Sequence, residues 1–320
     1  MNDTLNTTLQ TIADDPMLKI CPNWTDRDHY LTSNIGFWIG DVLVFFIAIP
    51  GIILNIISIY KLSAEKYLRN IFNFLLINLL IWHSLFLLLV AVDVVFKVVS
   101  YAAFKIFSTV LFVLSSVFLT ASIYMTVGLS VERYISISHP ITYLRCIEKS
   151  ESRIIWYIKY ILPITILSIL MSLHHIVVGA IEWNDDAKIA EVVYLNYVKI
   201  RGLCLDGIVP YLCLIFCLIM LYIKMKTQEP EQPRQSMERE LANILIGIVF
   251  VFIVCHFLRL FLYIHKAINL EEQLACFAAG KLGYEMWPPI VDAVSKVMLT
   301  INSSYIFVYI NNIKIITSKM

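Results

Sequence analysis

The sequence predicts an all-α integral membrane protein, a bundle of seven helices that each cross the bilayer. Of its 320 residues, 59% are apolar and only 15% are charged. Soluble globular proteins have about 45–50% apolar and about 25% charged residues. The apolar excess is concentrated in seven runs, each near the roughly 20 residues that a helix needs to cross a bilayer. The runs cover residues 35–62, 71–95, 104–137, 154–178, 202–223, 241–264 and 288–313.

The charge balance excludes some partner classes. A net charge of +1 argues neither for nucleic acid nor for an acidic partner. The long apolar runs make membrane lipid the expected surrounding. The N-terminus is polar and has no basic start before an apolar stretch, so it does not have the pattern of a cleavable signal peptide.

The first 34 residues carry three glycosylation sequons, which begin at Asn2, Asn6 and Asn23. Three acceptors in one short segment predict that residues 1–34 form a glycosylated extracellular tail. A fourth sequon at Asn302 lies inside an apolar run and is expected to be inaccessible. Seven crossings in residues 35–313 then place a short tail, 314–320, in the cytoplasm. A modest excess of Lys and Arg on the inner side agrees with this orientation at the plasma membrane.

A charged motif follows the third run. It reads Glu132-Arg133-Tyr134, with His139-Pro140 a few residues later. One interpretation is an arginine that reaches from a helix end to water. The other is functional, because the motif resembles the Glu/Asp-Arg-Tyr signature of rhodopsin-like (class A) G-protein-coupled receptors.

Two further stretches extend this resemblance and narrow it. Residues 300–309 resemble the end of class A helix seven, although Phe307 replaces the usual proline. The sequence Cys255-His256-Phe257-Leu258 stands where the family has Cys-Trp-x-Pro. The Thr-Ile-Asn-Ser-Ser-x-x-Phe form and the altered helix six are most similar to invertebrate FMRFamide-type neuropeptide receptors.

The resemblance implies a switch at the inner end of the bundle. In the family, the arginine of helix three is held by acids until helix six moves outward and admits a heterotrimeric G protein. The residues that match these positions are Glu132, Arg133, Tyr134, Glu238, Asn302 and Tyr309.

Polar residues inside the apolar runs are expected to join helices. This set is Asn55, Asn78, His83 and Ser122. His83 stands where the family has an aspartate, so the resemblance does not extend to regulation by sodium.

The expected ligand pocket carries both signs of charge, which suits a peptide better than a simple amine. Its candidates are Asp93, Ser115, His256, Arg259, Asp292 and Lys296. Amine receptors have an aspartate at the Ser115 position. The ring of an aromatic peptide end could rest against Phe257 or Tyr284. Two alternatives stay open, because Asp93 can pair with Lys97 and Asp292 with Lys296 at i, i+4 spacing.

The usual disulfide of the family cannot form, because Ser108 stands near its helix-three position and no cysteine lies between Cys21 and Cys146. A bond between Cys21 and Cys276 is expected in its place, with Cys204 as the alternative partner and free thiols as the other outcome.

Other functions fit less well. A photoreceptor needs a lysine at Thr300, one turn from Lys296. A transporter would show internal repeats with broken segments. Paired acids or a His-Glu-x-x-His helix of a membrane enzyme are absent from the sequence. We therefore expect a receptor with no catalytic residues, metal or cofactor. A class A chemosensory receptor for a small molecule is the main alternative.

Overall fold

The computed structural model describes Cys21 and residues 25–64, 71–99, 101–141, 143, 155, 157–182, 208–227, 233–269 and 286–317. Throughout this part of the chain the regular structure is helical, and the predicted all-α class is confirmed. Seven long helices follow in chain order: α1 (Asp26–Ala64), α2 (Ile71–Val99), α3 (Tyr101–Ser138), α4 (Leu162–Glu182), α5 (Val209–Thr227), α6 (Pro233–Ile268) and α7 (Trp287–Thr317).

Most of these helices have the length and apolar composition of membrane spans. Five stretches meet both requirements: Asp26–Ala64, Ile71–Val99, Val110–Ser138, Val209–Thr227 and Leu241–His265. A shorter apolar helix covers Tyr157–Ser172. Helices suit this setting because each satisfies its backbone hydrogen bonds internally, where no water is present.

The helices extend beyond the predicted apolar runs, including at both ends of the chain. α1 begins at Asp26 and not at Ile35, because Thr25 caps it. The Thr25 Oγ1 accepts from the Asp28 backbone N–H, and the Asp28 carboxylate accepts from the Thr25 N–H at 3.0 Å. This reciprocal cap starts a helix in a polar sequence without an apolar run. At the other end of the chain, α7 continues to Thr317 and into the segment predicted as a tail.

π-Helical turns occur at two places within the described part of the chain that bear on the helix bounds. Gly36–Leu43 lies within α1, and Tyr157–Ile161 leads into α4. The second segment directly precedes Leu162 and Pro163, and proline has no N–H to bond the carbonyl four residues earlier. A widened turn is therefore expected at this point.

The packing order places α3 at the centre of the bundle. It contacts α2, α4, α5 and α6, while α7 closes the bundle against α1, α2 and α6. Fully buried leucines fill the core, among them Leu76, Leu87, Leu129 and Leu214.

The outside of the bundle is apolar, as a lipid-facing surface should be. On α6, large apolar side chains are exposed at i, i+4, i+7 and i+11: Phe250, Val254, Phe257 and Phe261. Many polar side chains are buried instead, including Asn55, His83, Ser122 and Asn302. This arrangement follows from the cost of facing a polar group toward hydrocarbon.

Helices α2 and α3 run antiparallel, which defines the two ends of the bundle. Phe72, in the first turn of α2, contacts Arg133 near the end of α3, whereas Phe96 stacks on Phe107 near the start of α3. The end that holds Arg133 is called the inner end, and the opposite one the outer end.

Candidate functional sites

The inner end holds a buried ion pair. Arg133 is 0% exposed, and its Nε donates to Glu132 Oε2 at 2.7 Å. Its Nη2 donates to Glu132 Oε1 at 2.9 Å, so the carboxylate binds the guanidinium in a bidentate manner. The arginine therefore points into the bundle and does not reach from the helix end to water.

Two aromatic residues also contact this pair. The Tyr143 hydroxyl, in the segment after α3, also donates to Glu132 Oε1. The Arg133 Cζ lies 4.2 Å from the centroid of the Phe72 ring on α2. Neither contact can be predicted from the local sequence, because each joins residues from separate elements.

For the other predicted switch residues, the structure describes the side chain in only some cases. Tyr134 is half-buried, and Asn302 is buried on α7. Glu238 lies in α6 and Tyr309 in α7, but their side chains fall outside the described residues. The contact of Arg133 with Glu238 thus stays a prediction.

The four predicted helix-joining residues behave differently from one another. Asn55 joins α1 to α7, because its Nδ2 donates to the Ser303 carbonyl at 2.9 Å. Asn78 and Ser122 instead donate to Phe74 and Leu119 carbonyls of their own helices. For these two, the described hydrogen bonds therefore stay within one helix. A carbonyl three or four residues earlier is always within reach of such a side chain.

Two histidines lie in the middle of the bundle. His83 is 1% exposed, and neither ring nitrogen has a hydrogen-bond partner among the described residues. His256 is also buried and stacks on Phe252, with ring centroids 3.9 Å apart. A ligand that touched His256 would therefore have to reach deep into the bundle.

The outer end carries a three-residue charge cluster. Lys97 Nζ lies 3.0 Å from Asp93 Oδ2 and 3.0 Å from Asp41 Oδ1. The i, i+4 alternative for Asp93 is therefore the one that the structure shows. Asp41 was missed, although an acid inside the first apolar run should have drawn attention for the same reason as Asp93.

A second ion pair lies at the same end. Asp292 Oδ2 is 3.4 Å from Lys296 Nζ, and both side chains are about half exposed. Gly40 and Ala293, the sequence neighbours of Asp41 and Asp292, are in contact, because a Cβ on Gly40 would lie 3.3 Å from that of Ala293. The two groups together hold three carboxylates and two ammonium groups, a net charge of −1.

The remaining pocket candidates have local partners. Arg259 Nε donates to the Tyr263 hydroxyl at 2.8 Å, and Ser115 Oγ donates to the Phe112 carbonyl at 2.9 Å. The expectation that Phe257 supports a ligand ring was wrong. Phe257 is 57% exposed on the lipid-facing side of α6, because helical periodicity puts it in line with Val254 and Phe261. Tyr284 lies outside the described residues.

The features that were predicted to be extracellular are described in part. Cys21 is disulfide-bonded, while Cys213, Cys217 and Cys255 are free. Cys276 and Cys204 lie outside the described residues, as do Asn2, Asn6 and Asn23, so the pairing and the glycans stay predictions. No group of three or more His, Cys, Asp or Glu residues suited to a metal occurs in the described part of the chain.

Comparisons with known proteins agree with the motifs. Residues 54–288 match the family model described as 7 transmembrane receptor (rhodopsin family). The chain is 27% identical to a curated protein of Drosophila melanogaster named FMRFamide receptor, over 89% of this chain and 54% of that relative. The chain thus spans about half the length of the curated relative that it matches.

Proposed function

We propose that this chain, which belongs to the rhodopsin family of seven-transmembrane receptors, is a neuropeptide receptor that signals through heterotrimeric G proteins. The family is one of receptors, which confirms the prediction that the chain is not an enzyme. The observation that carries the ligand class is the mixed charge of the two groups at the outer end, the three-residue cluster and the Asp292–Lys296 pair. Their net charge of −1 suits a peptide that brings a cation together with polar backbone groups. The similarity to a protein named FMRFamide receptor supports the same class.

The proposed mechanism is a two-state helix bundle. A peptide that binds the outer end more tightly in the active state shifts the population toward that state. At the inner end, Arg133 leaves its buried position, α6 moves outward, and a G protein enters the opening. The burial of Arg133 supports this step, because a side chain with no exposed surface cannot contact a protein that arrives from outside.

The orientation follows from the sequons. We place the N-terminus outside the cell, the C-terminus in the cytoplasm and the protein in the plasma membrane. The ligand then reaches the outer end from the extracellular side, and the G protein reaches Arg133 from the cytoplasm.

The geometry favours Asp292 over Asp93 as the carboxylate that binds a peptide cation. The Lys97 Nζ lies 3.0 Å from a carboxylate oxygen of Asp93 and 3.0 Å from one of Asp41, and the Asp93 side chain is 31% exposed. Asp292 is 47% exposed, and its lysine lies farther away, at 3.4 Å. An arginine near the C-terminus of the peptide can therefore displace Lys296 from Asp292 at lower cost.

A peptide-library screen tests the proposed function. Cells that carry this chain and a promiscuous G protein are exposed to peptides, including ones that end in arginine and an aromatic amide. We expect calcium signals from a related group of peptides, and none in cells that carry Arg133→Ala at equal surface level. Activation by small molecules but by no peptide would favour the alternative, a chemosensory receptor.

Charge removal tests the site. We compare Asp292→Asn and Asp93→Asn, each with the active peptide and its Arg→Ala analogue. Loss of a desolvated charge pair costs about 2–5 kcal/mol of affinity, and the half-exposed Asp292 belongs at the lower end of that range. Only the Asp292→Asn receptor should lose affinity, and only for the parent peptide. If the Arg→Ala analogue loses as much, Asp292 does not bind the peptide cation.

A further inference from the structure

The Phe72 ring covers the guanidinium of Arg133 at the inner end. The Arg133 Cζ lies 4.2 Å above the ring centroid, well within the about 6 Å at which a cation is attracted by an aromatic face. Both side chains are 0% exposed. The attraction is therefore stronger than at a surface, because water screens neither the charge nor the ring.

Glu132 and Phe72 bind different parts of the arginine. The carboxylate receives the N–H groups at the edge of the guanidinium, at 2.7 Å and 2.9 Å. The ring lies against its face. Glu132 is the neighbouring residue on α3, so this ion pair moves together with α3. Phe72 belongs to α2, so its contact attaches the arginine to a second helix.

We propose that Phe72 is a positioning residue, which holds Arg133 in the buried state by a cation–π contact. The inference rests on the proposed function, in which Arg133 must leave this position before a G protein can bind. Departure from the ring exposes a cation that the ring had stabilised. The strength of the contact therefore sets how often the receptor is active without agonist.

Fluorination of the Phe72 ring tests directly whether the contact with Arg133 is electrostatic. Phenylalanine analogues with one, two or three ring fluorines weaken the negative face of the ring and change its shape little. They are introduced at Phe72 of the full-length receptor, and at Phe86 as a matched control. Phe86 is a buried phenylalanine of the same helix and belongs to the hydrophobic core.

We expect agonist-independent nucleotide exchange to rise with each fluorine at Phe72 and to stay constant along the Phe86 series. Complete loss of the contact corresponds to a roughly three- to thirtyfold rise, from the usual range of such interactions. If Phe72→Leu raises exchange while the fluorinated rings do not, the ring acts by packing alone and the proposal is wrong.

A second measurement tests the contact between Phe72 and Arg133 without any G protein. The thermal unfolding midpoint is determined for the fluorine series in the wild-type receptor and in a Glu132→Gln/Arg133→Gln background. That background removes both charges together and leaves no unpaired buried ion. A graded fall of the midpoint with Arg133 present, and none in the neutral background, supports the contact even if no G protein couples. If the unfolding midpoint falls equally with each fluorine in the two backgrounds, the proposed cation–π contact is wrong.

Discussion

Arg133 shows how the bundle accommodates a fully buried charge. A buried ion must be paired and hydrogen-bonded, or its desolvation cost is not offset. Glu132 supplies two charge-assisted hydrogen bonds, Tyr143 donates to the same carboxylate, and Phe72 covers the cation. Because a few side-chain contacts hold Arg133 in place, loss of one of these contacts can release the arginine, as a switch requires.

Removal of the acid of α6 should raise signalling without agonist. Glu238→Ala takes away a proposed anionic partner of Arg133 and so favours its release. If the pair is worth about 1 kcal/mol, its loss corresponds to a roughly fivefold change in population. The measurement is basal second-messenger production at matched surface level. Glu238→Gln, of nearly equal size, should give the same rise, and unchanged basal signalling in both variants would exclude Glu238 from the switch.

His83 should make the receptor insensitive to sodium. It is buried in the middle of the bundle and offers nitrogen atoms, whereas hard cations prefer oxygen ligands. We expect equal agonist affinity in sodium chloride and in the chloride of a bulky organic cation at the same ionic strength. His83→Asp supplies a carboxylate and is the comparison that should gain a sodium response. A sodium-specific loss of agonist affinity in the wild-type receptor would contradict this.

At the scale of elements, α1 and α7 approach closely because α1 carries a glycine at the contact. A Cβ on Gly51 would lie 2.1 Å from Ser304 Oγ and 3.0 Å from Leu87 Cδ1. One turn along α1, Asn55 donates to the Ser303 carbonyl at 2.9 Å. In lipid, the hydrophobic effect does not drive helices together, so close packing at small residues and interhelical hydrogen bonds hold them in contact.

Gly51→Ala should therefore destabilise the receptor. Added volume in a packed interface costs about 1–3 kcal/mol, which outweighs the gain in helix propensity of about 1 kcal/mol. We expect a lower thermal unfolding midpoint in detergent. Gly36→Ala is the matched control, since nothing lies within 4 Å of a Cβ there. Ser304→Gly should restore part of the loss. Equal midpoints for the Gly51 and Gly36 variants would show that the two helices separate freely.

The sequence predicted the elements better than their contacts. The seven helices follow from run length, and the pairs Asp93–Lys97 and Asp292–Lys296 follow from i, i+4 spacing. The start of α1 was missed, because a polar capping box begins it. Contacts such as Lys97 with Asp41 were also missed, because they depend on how separate helices pack. Phe257 was one of two residues expected to support a ligand ring, whereas the periodicity of α6 puts it on the lipid side.

At the scale of the whole molecule, the orientation in the membrane decides which end meets the ligand. We predict glycans on Asn2, Asn6 or Asn23 and none on Asn302, which is buried in α7. Treatment of surface protein with a glycan-removing enzyme should increase its gel mobility. The shift should disappear when all three N-terminal asparagines are replaced by Gln. A shift that remains in this triple variant would contradict the proposed orientation.

The proposed function requires that the two ends of the bundle act as one system. In the proposed mechanism, peptide binding near Asp292 and G-protein binding near Arg133 bias the same two-state equilibrium, so each strengthens the other. A receptor in which the ends were independent could bind peptide without any response at the inner end.

Guanine-nucleotide exchange with purified components tests this coupling most directly. Receptor in lipid bilayer discs is mixed with a heterotrimeric G protein, with and without an active peptide. We predict that peptide accelerates exchange by the wild-type receptor, and that Arg133→Ala binds the peptide but leaves exchange at its uncatalysed rate. Peptide binding to the wild type without faster exchange, or equal acceleration by Arg133→Ala, would contradict a peptide-driven switch at Arg133.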